Sequence, residues 1–279
     1  MNAINLTAQT VPTSYIEAGG TRYAYRKLGK PSDIPLVLLN RFRGTMDDWD
    51  PAFVNALAMN RTVIYFDNLG IGLSSGETQD QIAGMAEGAV GLIKALGLEQ
   101  IDLLGFSMGG FVAQQLTVAN PKLVRKLILA GTSGASKEDE QTVKEAFQVA
   151  IKPVNTEEDF LYIFFEDSEI SQAAGRDYWS RLQERQDDRS PLVKAESIQA
   201  QGNALGSWKQ QSVFDKLKNI PQPVLVANGS RDLMAPTFNS YLLYKQIPDA
   251  QLILYPDSGH GFLFQHASTF AEHIHLFLR

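Results

Sequence analysis

The chain contains no cysteine. Disulfides, thiolate nucleophiles and cysteine-ligated metal sites are therefore excluded outright. Histidine is scarce, with four residues in 279, so few side chains are available as a neutral-pH base. Long apolar runs are missing too, and none approaches the ~20 residues that span a bilayer. No basic block occurs: 25 Lys and Arg stand against 31 Asp and Glu, a net charge of −6, which lacks the electrostatic footprint of a nucleic-acid binder. Met1 to Pro12 has neither the charged n-region nor the apolar h-region of an export signal. The expectation is a cytoplasmic protein with no nucleic-acid or membrane partner, its oligomeric state left open.

What is present is an ordinary globular composition, 44% hydrophobic and 20% charged. A chain of this length buries roughly three-quarters of its unfolded surface and needs no covalent staple. Short apolar runs at Pro35–Leu39, Thr62–Phe66, Ile101–Phe106, Lys126–Ala130, Pro223–Ala227 and Gln251–Tyr255 are continuous rather than alternating, the pattern of strands buried on both faces. Ser14–Leu28 supplies a further hairpin that turns at Gly19-Gly20. Between the runs, apolar residues recur at helical spacing, as in Ile82, Met85, Ala89, Ile93 and Leu96 with Gly97 as a stop, and again in Phe270, Ile274 and Phe277. Alternating strands and helices predict an α/β fold with a largely parallel sheet covered on both faces. The alternation breaks from about Gly134 to Leu217, a charged stretch that reads as helix. The expected division is therefore a core of residues 1–133 and 218–279 and a helical layer of residues 134–217. That layer either covers the sheet edge or forms a purely structural subdomain.

Gly105-Phe106-Ser107-Met108-Gly109 is a G-x-S-x-G match lying between a predicted strand and a predicted helix, Phe111–Ala119. That context presents a serine hydroxyl on a tight strand-to-helix bend, and the helix behind it aims free N–H groups and partial positive charge at the same spot. A serine needs a base. His266, His273 and His275 fall in or near the last helix, whereas His260 stands in the glycine-flanked loop Ser258-Gly259-His260-Gly261 after the last strand. Loops at strand C-termini are where function gathers in open α/β sheets, so His260 is the candidate base. Asp232, in the loop leaving Pro223–Ala227, is the candidate acid that orients it. Asp257 is the rival, closer to shaping the histidine's own turn.

The order Ser107, Asp232, His260, together with Asp67-Asn68-Leu69-Gly70-Ile71-Gly72-Leu73-Ser74, resembles the α/β-hydrolase superfamily, and within it the cap-bearing esterase and lactonase-like branch. The resemblance implies an α/β-hydrolase fold: a mostly parallel eight-stranded sheet, the first strand antiparallel, flanked by helices, with a helical cap between strands six and seven. It also implies an oxyanion hole from the backbone N–H groups of Phe42 and Met108. One segment departs from the family pattern, since Asn40-Arg41-Phe42-Arg43-Gly44 stands where the family has His-Gly before a large apolar residue. Arg41 and Arg43 either meet an acidic substrate, or point to solvent or pair with Asp47, Asp48 or Asp50.

The expected activity is hydrolysis of a small carboxylic ester or lactone through an acyl-enzyme. Perhydrolysis of the cofactor-free haloperoxidase type, C–C bond hydrolysis and a slow-turnover small-molecule receptor remain open on the same motifs. A haloalkane dehalogenase is disfavoured, because Ser107 stands where it would need Asp. Candidate substrate-binding residues are Arg41, Met234, Phe262 and Leu263, with Trp179 among the aromatics of the inserted layer (Phe160, Tyr162, Phe164, Phe165, Tyr178 and Trp208), about half of which should face a pocket. No metal or organic cofactor is expected: Gly70-Ile71-Gly72 lacks the third glycine of a dinucleotide fingerprint.

Overall fold

The computed structural model of the chain describes residues 6–134 and 140–279. Parts of the expected N-terminal segment and inserted layer, residues 1–5 and 135–139, thus lie outside the described residues. Eight strands form one sheet: β1 (Ser14–Ala18), β2 (Thr21–Gly29), β3 (Leu36–Leu39), β4 (Thr62–Phe66), β5 (Ile101–Phe106), β6 (Val124–Ala130), β7 (Val224–Gly229) and β8 (Ala250–Tyr255). Their spatial order is β1-β2-β4-β3-β5-β6-β7-β8. All pairings from β4 to β8 are parallel, while β2 is antiparallel to both β1 and β4. The strand that runs against the rest is therefore the second and not the first. The tight turn at Gly19-Gly20, both at positive φ, reverses the chain into β2, whereas a parallel neighbour needs a long crossover.

The helices outside the insertion are α1 (Pro51–Ala58), α2 (Ile82–Ala95), α3 (Met108–Ala119), α8 (Thr237–Gln246), α9 (Phe262–Gln265) and α10 (Ala267–Phe277). Continuous apolar strands feed two cores, because successive side chains point to opposite faces. In β3, Leu36 and Leu38 enter one core with Phe53, Leu57 and Ile274. Val37 and Leu39 enter the other with Ile93, Val112 and Leu116. Each fully buried side chain of this size stabilises the fold by roughly 1.5–3 kcal/mol.

Between β6 and β7 the structure has α4 (Glu140–Ala150), α5 (Glu157–Phe164), α6 (Glu169–Arg181) and α7 (Ala195–Gln211). These helices divide between the two cores. Ile163, Phe164 and Tyr178 join the first, and Trp208, with Phe147 and Leu205 packed against it, joins the second. Polar anchors tie the same segment to the β2–α1 side. Arg181 grips Asp50 through two bonds of 2.8 and 2.6 Å, Arg26 donates to Asp47 at 2.6 Å and to the Asp188 carbonyl at 2.7 Å, and Ser190 bonds Asp47 and Asp67. Among the described residues no helix is long and apolar enough to cross a membrane.

Candidate active site

β5 ends at Phe106, and α3 begins at Met108, three residues earlier than the sequence pattern predicts. Gly109 and Gly110 are not a turn before the helix but its first turn. Ser107, between strand and helix, has φ +55, a conformation that non-glycine residues seldom adopt and that persists only where surroundings enforce it. Three bonds enforce it here: the Ser107 N–H donates to the Ala130 carbonyl at 3.0 Å, while the Ser107 carbonyl accepts from Gly110 N–H and from Thr132 Oγ1, both at 2.8 Å. Bare glycine is required beneath the bend. A Cβ on Gly105 would collide with the Gly109 carbonyl, and one on Gly109 with the Leu39 carbonyl.

His260 lies 2% exposed in the loop after β8. Its ring is 4.9 Å from that of Phe106 and 5.5 Å from that of Phe164. The loop is threaded between the end of β7 and the end of α5, with Gly261 N–H donating to the Phe164 carbonyl at 2.7 Å. Glycine at 259 and 261 permits that approach, since a Cβ at either would press on the Phe164 carbonyl. Asp232, in the loop after β7, accepts the Met234 and Ala235 N–H groups on Oδ1 at 2.8 Å each. Its other oxygen lies 2.7 Å from His260 Nδ1. A carboxylate so engaged accepts from Nδ1–H, which leaves Nε2 with a lone pair. The rival Asp257 instead accepts from Ser168 Oγ at 2.7 Å. His266, His273 and His275 are engaged elsewhere, with the Pro256 carbonyl, Tyr255 Oη and the Ala56 carbonyl respectively.

The unusual loop after β3 is rigid. Asn40 accepts the Arg41 N–H on Oδ1 at 2.8 Å and donates its amide to the Thr45 carbonyl, and the Gly44 N–H closes a turn on the Arg41 carbonyl at 3.0 Å. Arg41 is nine-tenths buried. Its guanidinium bonds Asp48 and, at 2.9 Å, the Phe42 carbonyl, and stands 5.2 and 5.3 Å from the ring centres of Phe160 and Phe164. Arg43, at φ +58, donates its backbone N–H to Gln201 of α7 at 2.8 Å. Its guanidinium reaches the carbonyls of Ala150, Lys152 and Pro153 at 2.7, 2.6 and 3.1 Å. Of the two expectations for these arginines, Arg41 pairs with Asp48, and Arg43 caps the C-terminal end of α4. Among the described residues, no acceptor of the protein engages the N–H of Phe42 or of Met108.

Two cavities meet at Ser107, and both have Phe42, Ser107 and Met234 in their walls. A narrow throat of about 30 Å³ adds His260, Arg41, Asn155, Phe160 and Phe164. A chamber of about 390 Å³ opens on the other side, between α3, α4 and α7. The throat shares Arg41, Arg43, Asn155 and Phe160 with an outer cleft of about 370 Å³. Met234 thus lines both cavities. Trp179 lines the outer cleft and packs on Phe160 at 5.0 Å, so it is not beside Ser107. Phe262 and Leu263 are corrections: both are fully buried, and Phe262 stacks on Tyr255 at 5.1 Å and packs tilted against Phe270 at 5.2 Å. The short helix α9 starts directly after Gly261 and turns them into the core. Of the inserted aromatics, Phe160 and Phe164 line the throat and Trp208 the chamber, Phe165 and Tyr178 are core, and Tyr162 is exposed. Sequence reasoning missed Phe111, Phe147, Gly202, Gly206 and Asn239 of the chamber wall. A pair of glycines four apart in a helical stretch was the one local signal.

Among the described residues, no cluster of three His, Asp or Glu side chains has the arrangement of a metal site. Residues 34–267 match the family model of the alpha/beta hydrolase fold; the chain belongs to that family and is an α/β-hydrolase enzyme. It is 43% identical to an alpha/beta hydrolase fold protein from Chitinophaga pinensis, over 98% of this chain and 99% of that one, with a TM-score of 0.90. A poly(3-hydroxyalkanoate) depolymerase of Ectopseudomonas oleovorans is 28% identical over 90% of this chain and 86% of its own length. A 2-hydroxy-6-oxononadienedioate/2-hydroxy-6-oxononatrienedioate hydrolase of Comamonas testosteroni is 29% identical over 75% of this chain and 73% of its own length.

Proposed function

We propose that the protein hydrolyses a carboxylic ester or lactone by acyl transfer to Ser107. His260, oriented by Asp232, takes the hydroxyl proton as Ser107 Oγ attacks the carbonyl carbon. The Phe42 and Met108 N–H groups receive the negative oxygen of the tetrahedral intermediate. His260 then gives its proton to the departing alkoxide. Water, deprotonated by His260, attacks the acyl-enzyme, and the acid leaves as Ser107 recovers its proton. Residues 134–217 act as a cap over a core of residues 1–133 and 218–279, and the substrate is a small molecule needing no cofactor. The observation that carries this reading is the conjunction of the 2.7 Å His260–Asp232 bond with a strained Ser107 on the same throat as His260. A polyester depolymerase among the relatives is in keeping with it.

The test is Ser107→Ala, expected to lose ~10³-fold or more in turnover with an unchanged melting temperature. A serine-directed phosphonate should add its mass to the peptide that carries Ser107. Wild-type rates in the variant, or a label elsewhere, would reject the reading. A second reading, hydrolysis of a C–C bond in a dienoic ketone, is favoured by the name of the Comamonas testosteroni relative. It is preferred if such ketones turn over faster than every ester and lactone in a panel.

A further inference from the structure

The chamber behind Ser107 holds two features that packing does not explain. Gly202 and Gly206 lie inside α7 and line the chamber. A mid-helix glycine costs about 1 kcal/mol relative to alanine, and it is normally explained by a positive φ or a close neighbour. Neither applies: both residues have ordinary φ, and a Cβ on either would meet nothing within 4 Å. What the absent side chains leave is room, inside the chamber at half-buried Gly202 and at its rim at exposed Gly206. Around it stand Phe111, Phe147 and Met234, with Leu205 and Trp208 of α7 itself, so that room is largely apolar. The second feature is Asn239, 1% exposed, on the same wall. Neither its amide nitrogen nor its amide oxygen has a hydrogen-bond partner among the described residues, an arrangement that costs stability unless a ligand completes it.

Direction follows from His260. It lines the throat and not the chamber, and it must stand beside the departing oxygen. The alcohol half therefore leaves through the throat, toward the outer cleft, and the acyl half occupies the chamber. We infer that the chamber is an acyl pocket for a medium-length apolar chain bearing one hydroxyl group. Gly202 and Gly206 set its length, and Asn239 receives the hydroxyl as both donor and acceptor. The substrate class is thus esters, or the corresponding lactones, of hydroxylated medium-chain acids. This inference rests on the acyl-transfer reading above.

The experiment has a kinetic and a binding arm. With p-nitrophenyl esters from acetate to dodecanoate, kcat/KM should rise roughly fourfold per methylene, the worth of burying one CH₂, and then fall once the chamber is full. Gly202→Leu and Gly206→Leu should lower octanoate turnover at least tenfold more than they lower acetate turnover. Their melting temperature should be equal or higher, since leucine is the better helix former. In calorimetry on Ser107→Ala, octanoate should bind, and among hydroxyoctanoates with the hydroxyl at successive carbons one should bind about tenfold tighter than octanoate. Asn239→Leu should erase that preference while leaving octanoate binding intact. A flat chain-length profile, leucine variants with a wild-type profile, or no octanoate binding would overturn the acyl pocket. Equal binding of every hydroxyoctanoate would overturn the role of Asn239. Failure of the acyl-transfer reading looks different: no ester is turned over through Ser107, yet octanoate still binds the Ser107→Ala protein.

Discussion

Asp67 is fully buried, outside the proposed triad, and sits where three chain segments meet. It accepts from Met46 N–H, Leu73 N–H and Ser190 Oγ at 2.7–2.8 Å. Gly72 must be glycine, because a Cβ there would strike the carboxylate. Burial pushes the carboxyl up from 3.8 to about 6, against the opposing pull of those donors. The native state then holds this proton more tightly than the unfolded chain does. Its contribution to stability is full below about pH 4, is lost as the pH rises through about 6, and is flat above. In urea unfolding, wild type should gain about 2 kcal/mol relative to Asp67→Asn as the pH falls from 7 to 4. Asp232→Asn is expected to act differently. Its amide nitrogen would face Nδ1 and force the proton onto Nε2, cutting kcat by ~10⁴-fold at unchanged stability, with the tautomer visible by nitrogen NMR.

At the scale of elements, the loop after β3 is held from the insertion as well as by its own Asn40 and Gly44 bonds. Arg43 is the clamp, through three carbonyls at the end of α4 and through Gln201 of α7. Displacing the Phe42 N–H by a fraction of an ångström weakens it as a donor in the transition state, with little effect on ground-state binding. Arg43→Ala should thus lower kcat roughly 10–100-fold with a small change in KM, and Arg43→Lys, which retains part of the clamp, should fall between. Equal loss in both parameters would point to a collapsed pocket instead. The start of α3 is less forgiving. Gly109→Ala should destabilise the protein by more than ~3 kcal/mol in thermal unfolding, as a backbone collision that no rotamer can relieve.

Across the whole molecule, the helices between β6 and β7 share both cores of the sheet and a line of buried ion pairs. Such sharing predicts a single cooperative unit. Asp50 is fully buried, serves Arg181 twice and caps α1 through the Ala52 N–H at 2.8 Å. Asp50→Ala should cost roughly 3 kcal/mol, toward the low end for a broken buried pair because Arg181 is part-exposed and can rehydrate. Melting followed by far-ultraviolet and near-ultraviolet circular dichroism should shift together. Separate transitions would mean that the insertion unfolds on its own.

Local chemistry is what the amino-acid sequence determined alone. Strands buried on both faces are continuous apolar runs, and a serine on a tight bend needs glycines at fixed offsets, so β3 to β8 and the Ser107 turn were legible from neighbours in the chain. His260 and Asp232 stand in the loops after β8 and β7, positions the strand pattern already marked, and folding brings them to 2.7 Å. The tertiary structure decided what depends on direction and distance. Phe262 and Leu263 follow His260 in sequence but point into the core, because α9 turns after Gly261. Arg41 carries a charge suited to substrate but is spent on Asp48 and the Phe42 carbonyl. The chamber owes its walls to α3, α4 and α7, and its length to two glycines whose spacing of four was a faint signal that does not say what lies across from them. A sequence records which atoms are near along the chain. A pocket is made by atoms that folding brings near, and by the space it leaves between them.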